Sequence, residues 1–327
     1  MGPRTVSVVT PCYNEELNVL ELYERVRALF VRLGKYQYEH IFIDNRSTDN
    51  TFAVLKHIAD QDGNVKLIRN TRNFGHIRSP MHALLQARGD AVIVLMADLQ
   101  DPPEVLGELI AEWEKDTPIV IAIKNQTQES GLMYWIRGAY YRLVRRVSDI
   151  ETYEHFTGFG LYDRKVMDLI AAFRDPYPYF RGMIAEIGMP HAEIFYEQQA
   201  RKKGKTKNNF FTLYDLAMLG ITSLSKVPLR AVTFTGFAGA FLSFMVALAY
   251  LVYKLVFWRQ FSVGVAPLVI GFFFFGSLQM LFMGVIGEYI GNIHTFVQAR
   301  PHVFESDRIN FESAPAFPRS QPLEQMK

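Results

Sequence analysis

Three clusters of acidic and amide side chains are the residues of this 327-residue chain whose types and spacing could do chemistry. They are residues 14–16 (NEE), Asp44 with Asp49, and residues 98–101 (DLQD). In the third cluster, Asp98 and Gln100 offer two oxygen ligands at positions i and i+2, and oxygen is what Mg²⁺ and Mn²⁺ prefer. Such ions are commonly held by one or two carboxylates plus substrate phosphates, which indicates a metal-bridged nucleoside diphosphate. The alternative is that residues 101–103 (DPP) only begin a helix.

Each acidic cluster follows a short apolar segment that is predicted to be a strand. Strands are predicted over residues 6–10, 39–43, 65–68, 91–96 and 119–123. Helical patterns separate them, at residues 15–33 with Asn14 as the N-cap, at 49–58, and after Pro102. This alternation indicates an α/β fold with a doubly wound, mainly parallel sheet. Because ligands bind outside the carboxyl ends of such strands, we expect the three clusters to share one edge of the sheet.

Two long uncharged runs occupy the last third of the chain. No Asp, Glu, Lys or Arg lies between Arg230 and Lys254, or between Arg259 and Glu288. Both runs reach the roughly 20 apolar residues that a helix needs to cross a bilayer. The linker between them is short, which predicts a transmembrane hairpin (spans at about 231–257 and 263–288) with both ends on one side. The alternative is a pair of buried core helices, but core helices rarely run so long without a charge.

Charge and cysteine content limit the classes of function. The formal net charge is only +2, which excludes the global basic field expected of a nucleic-acid-binding protein. Basic residues are concentrated at 201–207 (RKKGKTK), shortly before the first apolar run, and this favours a cytoplasmic position for the large domain and the tail. The single cysteine, Cys12, excludes an intramolecular disulfide and fits a reducing compartment.

The polar clusters also carry a family resemblance, which extends from residue 6 to about residue 295. Three motifs resemble those of family 2 inverting glycosyltransferases of the GT-A fold: residues 8–16 (VVTPCYNEE), 43–49 (IDNRSTD) and 97–104 (ADLQDPPE). The third motif, together with the C-terminal hairpin, is similar to that of polyisoprenyl-phosphate glycosyltransferases. That group includes dolichol-phosphate mannose synthases and bacterial undecaprenyl-phosphate glucosyltransferases of the GtrB type. Three ordered motifs in the expected strand context argue against a chance match.

The resemblance implies which residues bind a nucleotide sugar. Positions that contact the base and ribose are matched by Pro11, Tyr13, Glu15 and Asp44. Positions that hold a divalent metal (Mg²⁺ or Mn²⁺) and the diphosphate are matched by Asp98 and Gln100. Two positions depart from the family pattern, because Met96 stands where relatives often have an acid and Arg46 stands where many have glycine.

Basic residues complete the site that the resemblance implies. Arg201 and Lys205 resemble a basic loop that closes on the diphosphate of the donor. Arg137 and Arg142 resemble arginines that bind the lipid phosphate, for which the guanidinium fork is well suited. The alternative for each of these side chains is a charge that faces solvent or lipid headgroups.

The function expected from these features is sugar transfer to a polyprenyl (undecaprenyl) phosphate in the cell inner (plasma) membrane. A phosphate monoester is already a dianionic nucleophile near neutral pH, so no strong general base is required. Asp98 or Asp163 would assist one in-line displacement with inversion. UDP-glucose is the expected donor, with GDP-mannose as the alternative. A processive polysaccharide synthase is disfavoured because residues 198–202 (QQARK) lack the tryptophan of a Q-x-x-R-W motif. A flippase is disfavoured because the nearly chargeless helices offer no polar path.

Four parts make up the predicted organisation. They are a cytoplasmic GT-A catalytic domain (1–209), an interfacial amphipathic segment (210–229), the transmembrane hairpin (230–290) and a cytoplasmic tail (291–327). The segment 210–229 could instead pack only on the catalytic domain, and the tail is expected to be loose from about Ser306. Small residues permit close helix contact within the hairpin or between protomers, which leaves a homo-oligomer open: Gly236, Gly239, Ala240, Gly271 and Gly276.

Overall fold

The computed structural model describes residues 3–125, 156–199, 218, 227–256, 265–298 and 300–311 of the chain. These residues belong to two compact units. The first unit contains the described residues up to 199 together with 300–311, and the second contains the two long helices. Each unit is described by itself.

The first unit is built on a sheet in which eight described strands take part. The strands are β1 (Thr5–Cys12), β2 (Gln37–Asp44), β3 (Val65–Asn70), β4 (Ala91–Val94), β5 (Ile119–Lys124), β6 (Phe156–Asp163), β7 (His191–Tyr196) and β8 (Glu305–Ile309). Their order across the sheet is β7-β5-β6-β4-β1-β2-β3-β8. Neighbours among β1, β2, β3 and β4 pair in parallel, as do β5 and β7, whereas β6 and β8 run antiparallel to their neighbours. The sheet is therefore mainly parallel, as predicted.

Helices and two apolar cores accompany this sheet. The helices are α1 (Val19–Leu33), α2 (Thr51–Gln61), α3 (Gly75–Leu84), α4 (Leu106–Trp113), α5 (Arg164–Phe173) and α6 (Phe180–Ile187). A short 3₁₀ turn, Pro103–Val105, precedes α4. All residues of β4 are buried, as expected for a parallel strand covered on both faces. Side chains alternate along β1, so that Val6 and Val8 enter one core and Val9 enters the other.

Several element boundaries differ from the prediction, and two of these differences lengthen the turns at one edge of the sheet. Helix α1 begins at Val19 rather than at residue 15, and Asn14 is not its N-cap because its φ is +57°. Strand β4 ends at Val94 rather than at Met96. The backbone after each strand is thus used for a polar turn instead of regular structure.

The expectation of a loose tail from Ser306 is wrong for the described residues, because β8 is an ordered strand. It pairs antiparallel with β3, which would otherwise leave an exposed sheet edge. Glu305 Oε1 lies 2.6 Å from His82 Nε2 and accepts a 2.8 Å hydrogen bond from Arg308 Nη1. Asn310 Nδ2 donates to the Ala59 carbonyl at 2.6 Å. The chain therefore returns to the first unit after the second long helix.

The second unit consists of the helices α7 (Val227–Val256) and α8 (Val265–Gln298). Stretches of 20 and 28 residues within them have mean hydropathies of 1.5 and 1.4, and neither is buried, so both helices are candidate membrane spans. Both exceed the predicted bounds, since α7 begins before residue 230 and α8 continues into the segment assigned to the tail. A side chain at Gly236 would meet Phe282 of α8, whereas Gly239 and Gly276 face open space.

Candidate active site

The turns that follow β1, β2 and β4 form one edge of the sheet, here called the rim. Each turn contains a non-glycine residue with left-handed backbone: Asn14 (φ +57°), Arg46 (φ +64°) and Leu99 (φ +58°). This conformation costs an L-residue roughly 1 kcal/mol or more and persists only where surrounding contacts enforce it. The three strained turns lie at the carboxyl ends of neighbouring parallel strands, which is where ligands bind in such sheets.

The first two turns are joined by reciprocal hydrogen bonds. Asn14 N donates to Ser47 Oγ at 2.9 Å, and Thr48 N donates to Asn14 Oδ1 at 2.8 Å. Glu15 N donates to Thr51 Oγ1 at 2.8 Å. These bonds explain the left-handed Asn14, because its backbone and side chain both face the neighbouring turn. Pro11 lies near the end of β1, and Tyr13 and Glu15 lie in the turn after it, all three at half-buried positions on the rim.

Asp44 ends β2 and is completely buried. Its Oδ1 accepts a 3.0 Å hydrogen bond from Ser47 N, while Oδ2 lies 3.4 Å from Arg69 Nε without a hydrogen bond. Asp44 Oδ2 and Arg69 Nε are both buried without a hydrogen-bond partner. The Arg69 guanidinium also stacks on Phe52 at 4.0 Å. Asp44 thus holds the second turn and keeps one unfilled acceptor, which is unusual for a buried carboxylate.

The turn after β4 presents Asp98 and Gln100 at half-buried positions on either side of Leu99, which is 2% exposed. Asp98 Oδ1 accepts a 3.2 Å hydrogen bond from Gln100 N, and its other oxygen accepts none from the described residues. Because Leu99 points into the core, the two side chains that flank it can face away from the core. The turn therefore offers one carboxylate and one amide oxygen to a ligand.

A divalent cation fits this donor set. Within the described ranges, no group of three or more His, Cys, Asp or Glu side chains could hold a metal by itself. A cation at Asp98 and Gln100 would take its other ligands from diphosphate and water, as Mg²⁺ commonly does. The rim is also electronegative: burial first, and then the charges of Asp44 and other rim acids, raise the pKa of Cys12 well above its ordinary value. This potential favours a cation and keeps the thiol protonated.

Comparison with known proteins identifies the family. Residues 7–170, which include all three turns, match the family described as Glycosyl transferase family 2. The chain belongs to this family. It is 32% identical over 311 residues to an uncharacterized glycosyltransferase of Synechocystis sp., covering 95% of this chain and 97% of that relative. It is 33% identical over 297 residues to the SfII prophage-derived bactoprenol glucosyl transferase of Shigella flexneri, covering 90% of this chain and 96% of that relative.

Among solved structures, this family 2 chain is similar to glucosyl-3-phosphoglycerate synthase of Mycobacterium tuberculosis in complex with Mn²⁺, UDP and phosphoglyceric acid. The TM-score is 0.48 at 17% identity, covering 67% of this chain and 76% of that chain. Family membership and the mainly parallel α/β sheet confirm two predictions: the fold is GT-A, and the protein is a glycosyltransferase.

Sequence reasoning missed an amide network at the rim of this glycosyltransferase. Asn45 is 6% exposed, and its Oδ1 accepts hydrogen bonds from Asn70 Nδ2 and Phe74 N, both at 2.9 Å. Its Nδ2 donates to Asn73 Oδ1 at 2.9 Å. The network ties the turn after β2 to the loop between β3 and α3. A signal was present, because Asn70 and Asn73 follow a predicted strand of the same parallel set.

The structure does not bring Asp163 to the rim, which corrects its assignment as a catalytic carboxylate. Asp163 ends the antiparallel strand β6 and pairs with Ala91, the first residue of β4, so it lies at the opposite end of β4 from Asp98. Its Oδ1 accepts a 3.0 Å hydrogen bond from Lys165 N as the N-cap of α5, and its Oδ2 accepts one from Trp113 Nε1 at 2.8 Å. The role of Asp163 is structural, because both oxygens are already used in the fold.

Four basic residues of the predicted site lie outside the described residues. They are Arg137, Arg142, Arg201 and Lys205. Their assignment to the diphosphate and the lipid phosphate remains a prediction from the motif resemblance.

Proposed function

We propose that this chain is a membrane-bound transferase that moves glucose from UDP-glucose onto a polyprenyl phosphate, with undecaprenyl phosphate as the acceptor. The observation that carries the proposal is the presence in one chain of a rim with the oxygen ligands Asp98 and Gln100 and of two long, uncovered apolar helices. The Shigella flexneri relative is named a bactoprenol glucosyl transferase, and its similarity extends over 90% of this chain. That name supports both the sugar and the acceptor.

The helices α7 and α8 support a membrane location because their large apolar side chains are uncovered. Phe234, Phe241 and Phe272 are 73%, 67% and 76% exposed. A polyprenyl chain stays in the bilayer, since each methylene removed from it would cost about 0.8 kcal/mol. The catalytic domain must therefore reach the lipid phosphate where it emerges. We place both helices in the plasma (inner) membrane and the sheet domain in the cytoplasm.

The donor is assigned to the rim. Pro11, Tyr13, Glu15 and Asp44 bind the base and ribose, and the unfilled oxygen of Asp44 is the acceptor that a base N–H would use. Because Asp44 is buried, the Arg69 side chain must shift to admit that contact. Arg201 and Lys205 bind the diphosphate. Mg²⁺ or Mn²⁺, held by Asp98 and Gln100, would offset the charge of the leaving nucleoside diphosphate.

The acceptor explains why the rim can work without a dedicated general base. The second pKa of a phosphate monoester is near 6, so much of the acceptor is dianionic at neutral pH. The residues of the chain then need only to position this oxygen in line with the anomeric carbon and to screen charge. Arg137 and Arg142 hold the lipid phosphate, and Asp98 fixes the donor from the other side. A single displacement of this kind inverts the anomeric carbon.

The test uses the full chain in vesicles that contain undecaprenyl phosphate and Mg²⁺ or Mn²⁺. Labelled UDP-glucose, GDP-mannose and UDP-N-acetylglucosamine are supplied in separate reactions, and label is measured in the lipid extract. We expect label from UDP-glucose and none after EDTA treatment. NMR of the product should show the β anomer, since the donor is α. Label from GDP-mannose alone would replace the sugar assignment, and absence of label from every donor would overturn the proposal.

A further inference from the structure

The motif at residues 98–104 contains an acid that the proposed chemistry does not use. Asp101 is 3% exposed, in contrast to the half-buried Asp98. Its Oδ1 accepts a 2.5 Å hydrogen bond from the hydroxyl of Tyr196, which is itself 5% exposed. The two aspartates of one motif therefore point to different environments, one toward the rim and one into the fold.

The end of β7 and the residues just after it contact this turn at Gln100 and Asp101. Besides the bond from Tyr196 to Asp101, Gln199 N donates to the Gln100 carbonyl at 3.0 Å. Tyr196 is fixed in turn, because Asn125 N donates to its carbonyl at 3.0 Å and its ring meets Phe159 edge-on at 5.3 Å. The last residue of β7 thus holds the side chain of Asp101, and the segment that follows β7 holds the backbone of Gln100.

These contacts account for the strained backbone between Asp98 and Gln100. Leu99 has φ +58°, a conformation that persists only when neighbouring contacts over-determine it. The buried Leu99 side chain fixes the middle of the turn, and the contacts from Tyr196 and Gln199 fix its far end. Released from β7, the turn could relax to an ordinary φ, and this would move the two oxygen ligands apart.

We infer that Asp101 and Tyr196 are positioning residues that preorganise Asp98 and Gln100 for a divalent cation and a nucleoside diphosphate. This inference rests on the proposed function, because it takes Asp98 and Gln100 as the ligands. Outer-shell partners of this kind orient the groups that bind the metal, and their loss typically lowers metal affinity about 10- to 100-fold.

Binding of Mn²⁺ in the presence of UDP is the direct test, because it requires no turnover. Free Mn²⁺ is followed by electron paramagnetic resonance during titration of the full-length protein in detergent. We expect Tyr196→Phe, which removes only the hydroxyl, to weaken Mn²⁺ binding about tenfold or more. The KM for the donor and the metal should rise more than kcat falls. Tyr23→Phe is the matched control, because Tyr23 also donates to a carboxylate, Asp62 Oδ2 at 2.9 Å, away from the rim.

A second pair of variants keeps the inference testable if Tyr196→Phe folds poorly. Asp101→Asn retains an acceptor for the Tyr196 hydroxyl, whereas Asp101→Ala does not. We expect Asp101→Asn to retain most of the Mn²⁺ affinity and Asp101→Ala to lose it. Circular dichroism should show that both variants are folded. Wild-type affinity in Asp101→Ala would overturn the inference and leave the proposed function standing. If the unsubstituted protein fails to bind Mn²⁺ with UDP, both the metal assignment and the inference fall.

Discussion

The two ends of the same parallel strands use their acidic residues in opposite ways. At the end where β1, β2 and β4 begin, here called the lower edge, both carboxylate oxygens of Glu39 accept hydrogen bonds. It accepts hydrogen bonds from Ser7 Oγ at 2.5 Å, Lys66 Nζ at 2.5 Å and Arg88 N at 2.7 Å. At the rim, Asp98 accepts one bond from the described residues, and Asp44 Oδ2 accepts none. Unfilled acceptors distinguish Asp98 and Asp44 from Glu39, whereas Asp49, also at the rim, uses both of its oxygens within the fold.

Left-handed backbone occurs at both ends of the sheet, since Asp116 (φ +64°) before β5 and Asn310 (φ +62°) after β8 lie at the lower edge. The rim contains Asn14, Arg46 and Leu99 in the left-handed region, each beside a residue that could bind a ligand. The lower edge also contains Gly89, where a β carbon would lie 2.8 Å from the Ser7 backbone. What distinguishes the rim is that its left-handed residues stand beside unfilled acceptors, whereas Gly89 at the lower edge serves close packing. This contrast can be tested by substitutions at both ends.

The largest effect is expected for Asp98→Asn. Removing the carboxylate at the rim should lower kcat/KM about 1000-fold, as for other groups that stabilise charge in a transition state. The free energy of unfolding should change by less than about 0.5 kcal/mol, because Asp98 is half-buried and accepts a single backbone hydrogen bond. Transfer assays and urea denaturation of the same preparation measure both quantities. Activity within threefold of wild type would remove Asp98 from the site.

Glu39→Gln should have the reverse profile. Breaking the buried contact with Lys66 should cost about 3 kcal/mol of unfolding free energy, while kcat/KM of the folded protein should stay near wild type. Glu114→Gln is the control, because Glu114 also contacts a lysine (Lys35) but at an exposed site, where such pairs contribute less than about 1 kcal/mol. Equal stability of the two variants would contradict the contrast between the edges.

The pH dependence of stability provides a second measurement on Glu39. Burial acts to raise its pKa, but hydrogen bonds from Arg88 N, Lys66 and Ser7 hold the pKa below the ordinary 4.5. A carboxylate with a lowered pKa stabilises the folded state above the unfolded-state pKa and loses that contribution as the pH falls through the folded-state value. Below about pH 4.5, stability should therefore decline more steeply in the wild type than in Glu39→Gln.

The sequence predicted the features of the two sheet ends that follow from local patterns, and it missed those that depend on pairing between distant strands. The parallel strands and the position of Asp98 and Gln100 were predictable, because apolar periodicity marks the strands and parallel strands end together. The position of Asp163 was not, because β6 runs antiparallel and its direction depends on a pairing with β4 that no local pattern reveals. Strand β8 was missed for the same reason, since its partner β3 is more than two hundred residues away.

Asp163→Ala should cost stability without loss of chemistry. It removes the N-cap of α5 and the acceptor for Trp113 Nε1, which together contribute about 2 kcal/mol. We expect kcat/KM for sugar transfer to be unchanged within about twofold at a temperature where the variant is folded. Asp163→Ser is the matched variant, because serine can still cap α5. A fall in kcat comparable to that of Asp98→Asn would restore Asp163 to the catalytic group and remove the contrast between the two ends of β4.

The smallest effect is expected at Arg46, where the rim strain can be relieved. Arg46 is exposed with φ +64°, and Arg46→Gly should raise the free energy of unfolding by about 1 kcal/mol, because glycine adopts this conformation without a clash. Arg174→Gly is the control, since Arg174 is exposed with φ +51° at the end of α5 and belongs to none of the three rim turns. Both variants should be stabilised in thermal denaturation, but only Arg46→Gly should change the KM for the nucleotide sugar. If neither variant gains stability, the left-handed turns store no strain, and the rim differs from the lower edge only in its unfilled acceptors.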